Sequence, residues 1–358
     1  MSPCPAISPL LRHRSALTAL VACTLGSFFL ASCGDPKREE RLKWREEEVD
    51  AKEAAVLRRD AEIQQERKQI ESLKLDLTAK QKAAEKLQTE LAAELDKYQR
   101  VRRELELREL RGPLPHITAE RVIIIDPATG DVIFEKDADK EGAIASTTKL
   151  LTALLVVETG DLDKEVVIQK SDTQCAPVRL GLKEGEVYTR RQLLTAVLVK
   201  SSNDIAQALA RDNAGTMEAF VEKMNARCAE LGLKHSAFAN PHGLPADEGV
   251  PQFSTARDLS VIAALCDTKP EIREIVSLKS YRFVKPDKKE IQLENTNRVL
   301  RNYSYCDGMK TGYTNAAGYC LVCSGEKNGK RRIVVVLNDT DSGVWKDSQA
   351  LLEWALRA

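Results

Sequence analysis

From Lys37 to Arg111 the chain contains neither glycine nor proline. So long a run without a backbone breaker leaves a continuous helix as the regular structure open to it. Its 20 basic and 19 acidic residues are interspersed rather than blocked, as on a solvated helix surface. Leu42, Val49, Val56, Ile63, Ile70, Leu77, Ala84, Leu91, Tyr98 and Leu105 recur every seven residues, which predicts left-handed supercoiling and self-association of 37–111 as a coiled coil. A second apolar column appears only at Leu73, Leu87 and Val101, and Arg45, Lys52, Arg59 and Glu66 occupy it earlier. The N-terminal half is therefore expected to be the weaker half. A solitary charged helix held by i,i+4 pairs is the alternative. At full helicity the segment reaches roughly 110 Å, and Gly112, Pro113 and Pro115 stop it.

Ahead of this spacer, Arg12, His13 and Arg14 precede an apolar run from Ala16 to Ala31. The run is short and rich in small residues, which suits a secretory signal better than a membrane span. It closes on Leu30-Ala31-Ser32-Cys33-Gly34, which resembles the bacterial lipoprotein cleavage box. The expectation is a signal peptide at 1–32, a lipidated N-terminus at 33–36 anchored through Cys33, and an exported, periplasmic, membrane-anchored envelope protein. Several acyl chains at about 0.8 kcal/mol per buried methylene give stable anchoring without a spanning helix.

Residues 116–358 are enough for one full core, and they begin with a predicted hairpin. Arg121–Asp126 and Val132–Glu135 flank Pro127-Ala128-Thr129-Gly130, β-rich runs around turn residues. An apolar helix is expected from near Ser146 to Gly160. Equal numbers of basic and acidic residues, 54 each, give no basic face for nucleic acid. Four histidines in the whole chain, one of them in the leader, leave too few for a His-rich zinc site or an obvious Ser-His pair, and no metal or organic cofactor is implied. His235 and His242 are read as structural.

Three triplets carry the chemistry. Ser146-Thr147-Thr148-Lys149 spaces a hydroxyl and an amine at i,i+3, one face of a first helical turn, with the serine N–H at the positive helix end. Serine is a poor nucleophile without a base, and a lysine that is desolvated beside another cation can be that base. Alone, the quartet would be a helix cap with a solvated lysine. Downstream, Ser201-Ser202-Asn203 follows an apolar helix through Leu193, Leu194, Val197 and Leu198. Much further along, Lys310-Thr311-Gly312-Tyr313 stands in a predicted strand, where the glycine would let another backbone approach. The order and spacing of the three say far more than any one of them.

This set resembles the signature of serine β-lactamases and penicillin-binding proteins. The segments Phe238-Ala239-Asn240-Pro241-His242-Gly243-Leu244, Ser254-Thr255-Ala256-Arg257-Asp258-Leu259 and Asn295-Thr296-Asn297 are similar to those of the D-alanyl-D-alanine carboxypeptidases, the low-molecular-mass penicillin-binding proteins. The resemblance covers nearly all of 116–358. It implies an α+β transpeptidase fold in which a five-stranded antiparallel sheet is flanked by helices, with the site at the junction with an all-helical part. It also implies an enzyme that removes the terminal D-alanine from peptidoglycan stem peptides through an acyl-Ser146 intermediate and is inhibited by β-lactams. The implied roles are Lys149 as base, Ser201 as proton relay, Asn203 on a substrate amide, and Lys310 with Thr311 on the substrate carboxylate. The N–H groups of Ser146 and Tyr313, beside Gly312, would form the oxyanion hole. A D,D-endopeptidase on the same scaffold is the alternative. A β-lactamase lacks support because no Glu and Asn loop of the class A kind lies between Asn203 and Lys310, and a non-catalytic envelope tether or β-lactam sensor would not need all five polar site residues.

Two departures from the family pattern stand out. The chain runs only from Gly312 to Ala358 after the last triplet, which fits a hairpin turning at Asn328-Gly329 and a last helix from Trp345 to Leu356 rather than a second domain and amphipathic tail. Ser202 replaces the usual glycine or aspartate at a position outside the chemistry. Of the domain's six cysteines, Cys320 and Cys323 lie three apart on a strand and should face opposite sides, as buried thiols rather than a pair.

Overall fold

The computed structural model describes residues 36–175 and 177–357, in two units, 36–97 and 98–357. The expected long helix is present as α1 (Pro36–Arg111). Its large seam residues are exposed along the first unit, from 38% at Ile63 to 67% at Leu91, so nothing among the described residues buries the heptad stripe there. The last turn differs. Arg111 is buried, its guanidinium 5.5 Å from the Trp354 ring centroid, which makes the end of α1 part of the second unit. Signal peptide, cleavage box and Cys33 lie outside the described residues.

The second unit opens on the predicted hairpin, β1 (Arg121–Ile125) and β2 (Val132–Lys136). A 3₁₀ turn, Ala145–Thr148, leads into α2 (Lys149–Glu158). A small ribbon, β3 (Glu165–Val167) and β4 (Val187–Thr189), precedes the helices α3 (Arg190–Lys200), α4 (Asn203–Ala214) and α5 (Met217–Glu230). Then come α6 (Ala256–Asp267), α7 (Pro270–Val276), the ribbon β5 (Ser280–Val284) and β6 (Glu290–Glu294), and α8 (Arg298–Asn302). The chain closes with β7 (Cys306–Thr314), β8 (Gly318–Lys327), β9 (Lys330–Asp339) and α9 (Gly343–Ala355).

The main sheet is five-stranded and antiparallel, in the order β2-β1-β9-β8-β7, as the resemblance implies. Its central strands are apolar on both faces because both faces are covered. Ile123, Ile125, Ile333 and Val335 enter one core with α2 and α6, and Val122, Ile124, Val334 and Val336 enter a second core with α9. Period-two geometry likewise sends Cys320 to the first core and Cys323 to the second, as expected. Cys228, Cys266, Cys306, Cys320 and Cys323 are buried thiols. The β8–β9 turn falls at Asn328-Gly329, both in the left-handed region at φ 53° and 74°, as a two-residue hairpin of this sequence requires.

Candidate active site

The expected α-helical first turn around Ser146 is a tighter 3₁₀ turn, and α2 begins at Lys149. Ala145 enters that turn at φ 48°, a conformation that costs a non-glycine residue roughly 1–2 kcal/mol. Two glycines show how the turn is held. A Cβ on Gly312 would meet the Ser146 backbone nitrogen at 2.9 Å and the Ala145 Cβ at 3.1 Å. A Cβ on Gly243, at φ 83°, would overlap the Ala145 carbonyl oxygen. The backbone that approaches the KTG glycine is thus the chain's own serine turn, wedged between β7 and the Asn240–Leu244 loop.

Lys149 is fully buried, with its Nζ 2.8 Å from Ser146 Oγ, 2.7 Å from Asn203 Oδ1 and 2.9 Å from the His242 carbonyl oxygen. Burial, and then the charge of nearby Lys310, hold its amine well below the ordinary lysine range. A neutral amine has two hydrogens and one lone pair. The two carbonyl acceptors engage both hydrogens, which leaves the lone pair for the serine hydroxyl. That is the arrangement a general base needs before it takes the serine proton.

Ser201 caps α3 in the left-handed conformation at φ 68°, and Ser202 is the N-cap of α4. This two-helix corner points Asn203 at Lys149. Ser201 is 9% exposed and is not among the three partners of Lys149. Ser202 is fully buried, its Oγ without a hydrogen-bond partner among the described residues, and the bond that ties this corner to 178–182 is made next door. Asp204 accepts the backbone N–H groups of Leu180 and Gly181 at 3.0 Å, and Asn203 N donates to the Val178 carbonyl at 2.7 Å.

Lys310 lies on β7, buried, and among the described residues its Nζ finds one acceptor, the Thr311 carbonyl at 3.0 Å. Burial pushes its pKa down to about 7. Thr311 Oγ1 lies 2.6 Å from Thr296 Oγ1, and Asn297 Nδ2 donates to the Gly308 carbonyl at 2.9 Å, so the Asn295-Thr296-Asn297 segment braces the strand. Tyr313 is 52% exposed, its ring stacked 4.3 Å from that of Tyr319 across the register pair. A hollow of about 200 Å³ lies beside the serine turn, lined by Ala145, Thr148, Gly243, Pro245, Val250 and Thr314 among others, with no ionisable side chain.

His242 is buried, and burial, then the charge of Lys149, push its pKa down to about 3. It acts here through its backbone carbonyl, while its Nδ1 accepts the Leu244 N–H at 3.2 Å. His235 is exposed and pairs with Glu141 at 2.9 Å. The sequence motifs miss the His242 carbonyl, Gly243, Thr296 and Asp204 as site supports. No spacing rule could find a carbonyl acceptor 93 residues from its lysine.

Residues 109–341 match the family model described as D-alanyl-D-alanine carboxypeptidase. The chain is 36% identical to the D-alanyl-D-alanine carboxypeptidase DacF of Bacillus subtilis (strain 168), over 61% of this chain and 57% of that protein. It is 31% identical to the D-alanyl-D-alanine endopeptidase of Escherichia coli (strain K12), over 63% of this chain and 72% of that protein. Among solved structures it is similar to penicillin-binding protein D2 of Listeria monocytogenes in the ampicillin-bound form, with TM-score 0.60 and 31% identity, over 68% of this chain and 99% of that one. The chain spans 57–64% of the length of the curated carboxypeptidases DacF, DacC and DacA that it matches.

Proposed function

Because the chain belongs to the D-alanyl-D-alanine carboxypeptidase family, we propose that it is a serine D,D-carboxypeptidase acting on peptidoglycan stem peptides. The observation that carries the reading is a pair of fully buried lysines, neither with a carboxylate partner among the described residues, one of them on the Ser146 hydroxyl and the other near enough to depress the first. A buried unpaired ammonium is costly. The cost makes chemical sense when one lysine works neutral as a base and the other awaits an anionic group of the substrate.

Ser146 gives its proton to Lys149, and Oγ attacks the carbonyl carbon of the penultimate D-alanine. The tetrahedral oxyanion receives the N–H groups of Ser146 and Tyr313, donors of a kind whose removal typically costs about 3–4 kcal/mol in the transition state. The proton passes from Lys149 through Ser201 to the departing nitrogen, and the C–N bond breaks. The leaving D-alanine carries the carboxylate and so lies on the Lys310 and Thr311 side, with Asn203 on a substrate amide. The uncharged hollow near Gly243 suits the acyl side. Water, deprotonated by Lys149, then releases the acyl group from Ser146. A β-lactam enters the same sequence through its ring amide and stops at the acyl-enzyme.

Around this domain, the sequence supports export, a lipid anchor at Cys33, and self-association through the helical segment 37–111. Among the described residues no helix is long and apolar enough to cross a membrane. Ser146→Ala is expected to abolish both labelling by a fluorescent penicillin and D-alanine release from a pentapeptide, with thermal stability kept within about 1 kcal/mol. Undiminished labelling of that variant would remove Ser146 from the role of nucleophile. Cleavage of a cross-linked peptide dimer in preference to the pentapeptide would favour the endopeptidase reading.

A further inference from the structure

The heptad seam of α1 carries charges whose signs are arranged for one particular partner. At about 100° per residue, the third and fourth positions beyond each seam residue lie on opposite sides of it, at about −60° and about +40°. After Leu42 these flanks are Arg45 and Glu46, after Val49 Lys52 and Glu53, after Val56 Arg59 and Asp60, and after Ile63 Glu66 and Arg67. Each flank pair has one charge of each sign, and at the fourth pair the two columns exchange sign together. Among the described residues, Arg45, Glu46, Glu53, Asp60, Glu66 and Arg67 make no ion pair within the chain. Lys52 and Arg59 reach Glu48 and Glu62 in exposed contacts of 2.7 and 3.5 Å, a type worth little.

We propose that the helical segment 36–97 pairs with a second copy of itself in parallel and in register, which specifies the partner in the self-association proposed above and rests on it. With the seam on the midline of a parallel two-fold pair, the column of third positions on one helix faces the column of fourth positions on the other. Arg45 then meets Glu46 of the second copy, Lys52 meets Glu53, Arg59 meets Asp60, and Glu66 meets Arg67, each pair occurring twice. The joint sign exchange keeps every pair attractive. In an antiparallel pair each column faces itself instead. The charged N-terminal stretch would then meet the later part of the same column, where Leu73, Leu87, Gln81, Gln88 and Leu95 offer no charge and only Lys74, Lys80 and Glu94 do, so the matched alternation of signs is lost. The stripe of Leu42, Val49, Val56, Ile63, Ile70 and Leu77, each 38–60% exposed in the single chain, supplies the apolar contact, and the flanks fix direction and register. The basic and acidic residues of the weak half are, on this reading, what orients the pair.

Sedimentation equilibrium of the full chain tests this. The chain is expected to be a dimer, and the triple variant Glu46→Lys, Glu53→Lys, Asp60→Lys, which turns six attractive pairs repulsive, should weaken association on the order of 100-fold. The opposite triple variant, Arg45→Glu, Lys52→Glu, Arg59→Glu, should be weakened likewise. An equimolar mixture of the two, or one chain with all six reversals, should recover the dimer, so a mere folding defect cannot mimic the result. Val49→Cys should cross-link to its own counterpart under mild oxidation. A monomeric chain at about 100 μM overturns self-association and this proposal together. A dimer that ignores the charge reversals, or in which Val49→Cys fails to cross-link, overturns only the parallel pairing.

Discussion

Lys149 and Lys310 share a burial but not a task, and pH separates them. On the proposed mechanism, Lys149 carries a proton below its depressed pKa and cannot take one from Ser146, so the acid limb of kcat/KM is assigned to it. Lys310 titrates near 7 because burial disfavours its charge. As pH rises through that value the free protein loses the cation proposed to meet the substrate carboxylate. KM should therefore climb above about pH 7, while kcat holds further into the alkaline range, because bound carboxylate restores the lysine proton. Lys310→Arg keeps a positive charge at every accessible pH and should extend the basic limb, whereas Lys310→Ala should lose roughly 10- to 100-fold in kcat/KM with the charge-assisted bond. A basic limb that stays unchanged in the arginine variant would assign it to another group. For stability the sign is the reverse of a paired lysine's. A base with a depressed folded-state pKa penalises the fold at acid pH, and the penalty is relieved as pH rises from about 7 toward the unfolded value near 10.4.

Turns and loops show at the next scale how glycines that look alike in sequence differ in what surrounds them. Gly329 sits at φ 74° in the β8–β9 turn with nothing within 4 Å of an added Cβ, so Gly329→Ala should cost only the left-handed backbone term, roughly 1–2 kcal/mol by thermal melting, with activity intact. Gly243 at φ 83° has the Ala145 carbonyl oxygen in the way, and that loop also supplies the His242 carbonyl to Lys149. Gly243→Ala should cost more than about 3 kcal/mol or displace the loop, and lose penicillin acylation in either case. Equal melting temperatures for the two variants would contradict the contact. The contrast marks what the sequence could and could not disclose. The Asn328-Gly329 hairpin, the apolar run of β9 from Ile333 to Leu337, the helix ahead of Ser201 and the strand of Lys310-Thr311-Gly312 are local signals, and each appears where its local rule puts it. The 3₁₀ turn at Ser146, the approach of Gly312 to it, and the reach of Thr296 to Thr311 depend on contacts between segments far apart in the chain. They follow from packing, and no local pattern encodes them.

At the scale of the whole molecule, the chain divides into a helical unit that buries almost none of its apolar stripe and a second unit, with two cores around one sheet, that carries the candidate active site. The helix and its stop are legible in the sequence, because ten seam positions run with no breaker between them until Gly112, whereas the docking of its last turn is not. Gly112 and Pro113 mark a stop, yet Arg111 is buried against Trp354, and Trp354 Nε1 donates to the Gly112 carbonyl at 3.0 Å. A deletion that respects this packing should therefore remove 37–97 and keep 98–111. If Cys33 carries the proposed lipid anchor, the stretch from Pro36 to Lys97 forms a spacer on the order of 90 Å when helical, and the tether raises the effective concentration of the enzyme near its polymeric substrate. The deletion variant should release D-alanine from soluble pentapeptide within about twofold of the full chain, because no site residue is touched, and should trim wall peptides in cells markedly less. Cys33→Ala should move the protein from the membrane to the soluble fraction of the envelope. Wall peptides trimmed equally well by the deletion variant would remove reach as the purpose of the helix, and the charge-ordered pairing of its seam would then stand as its function.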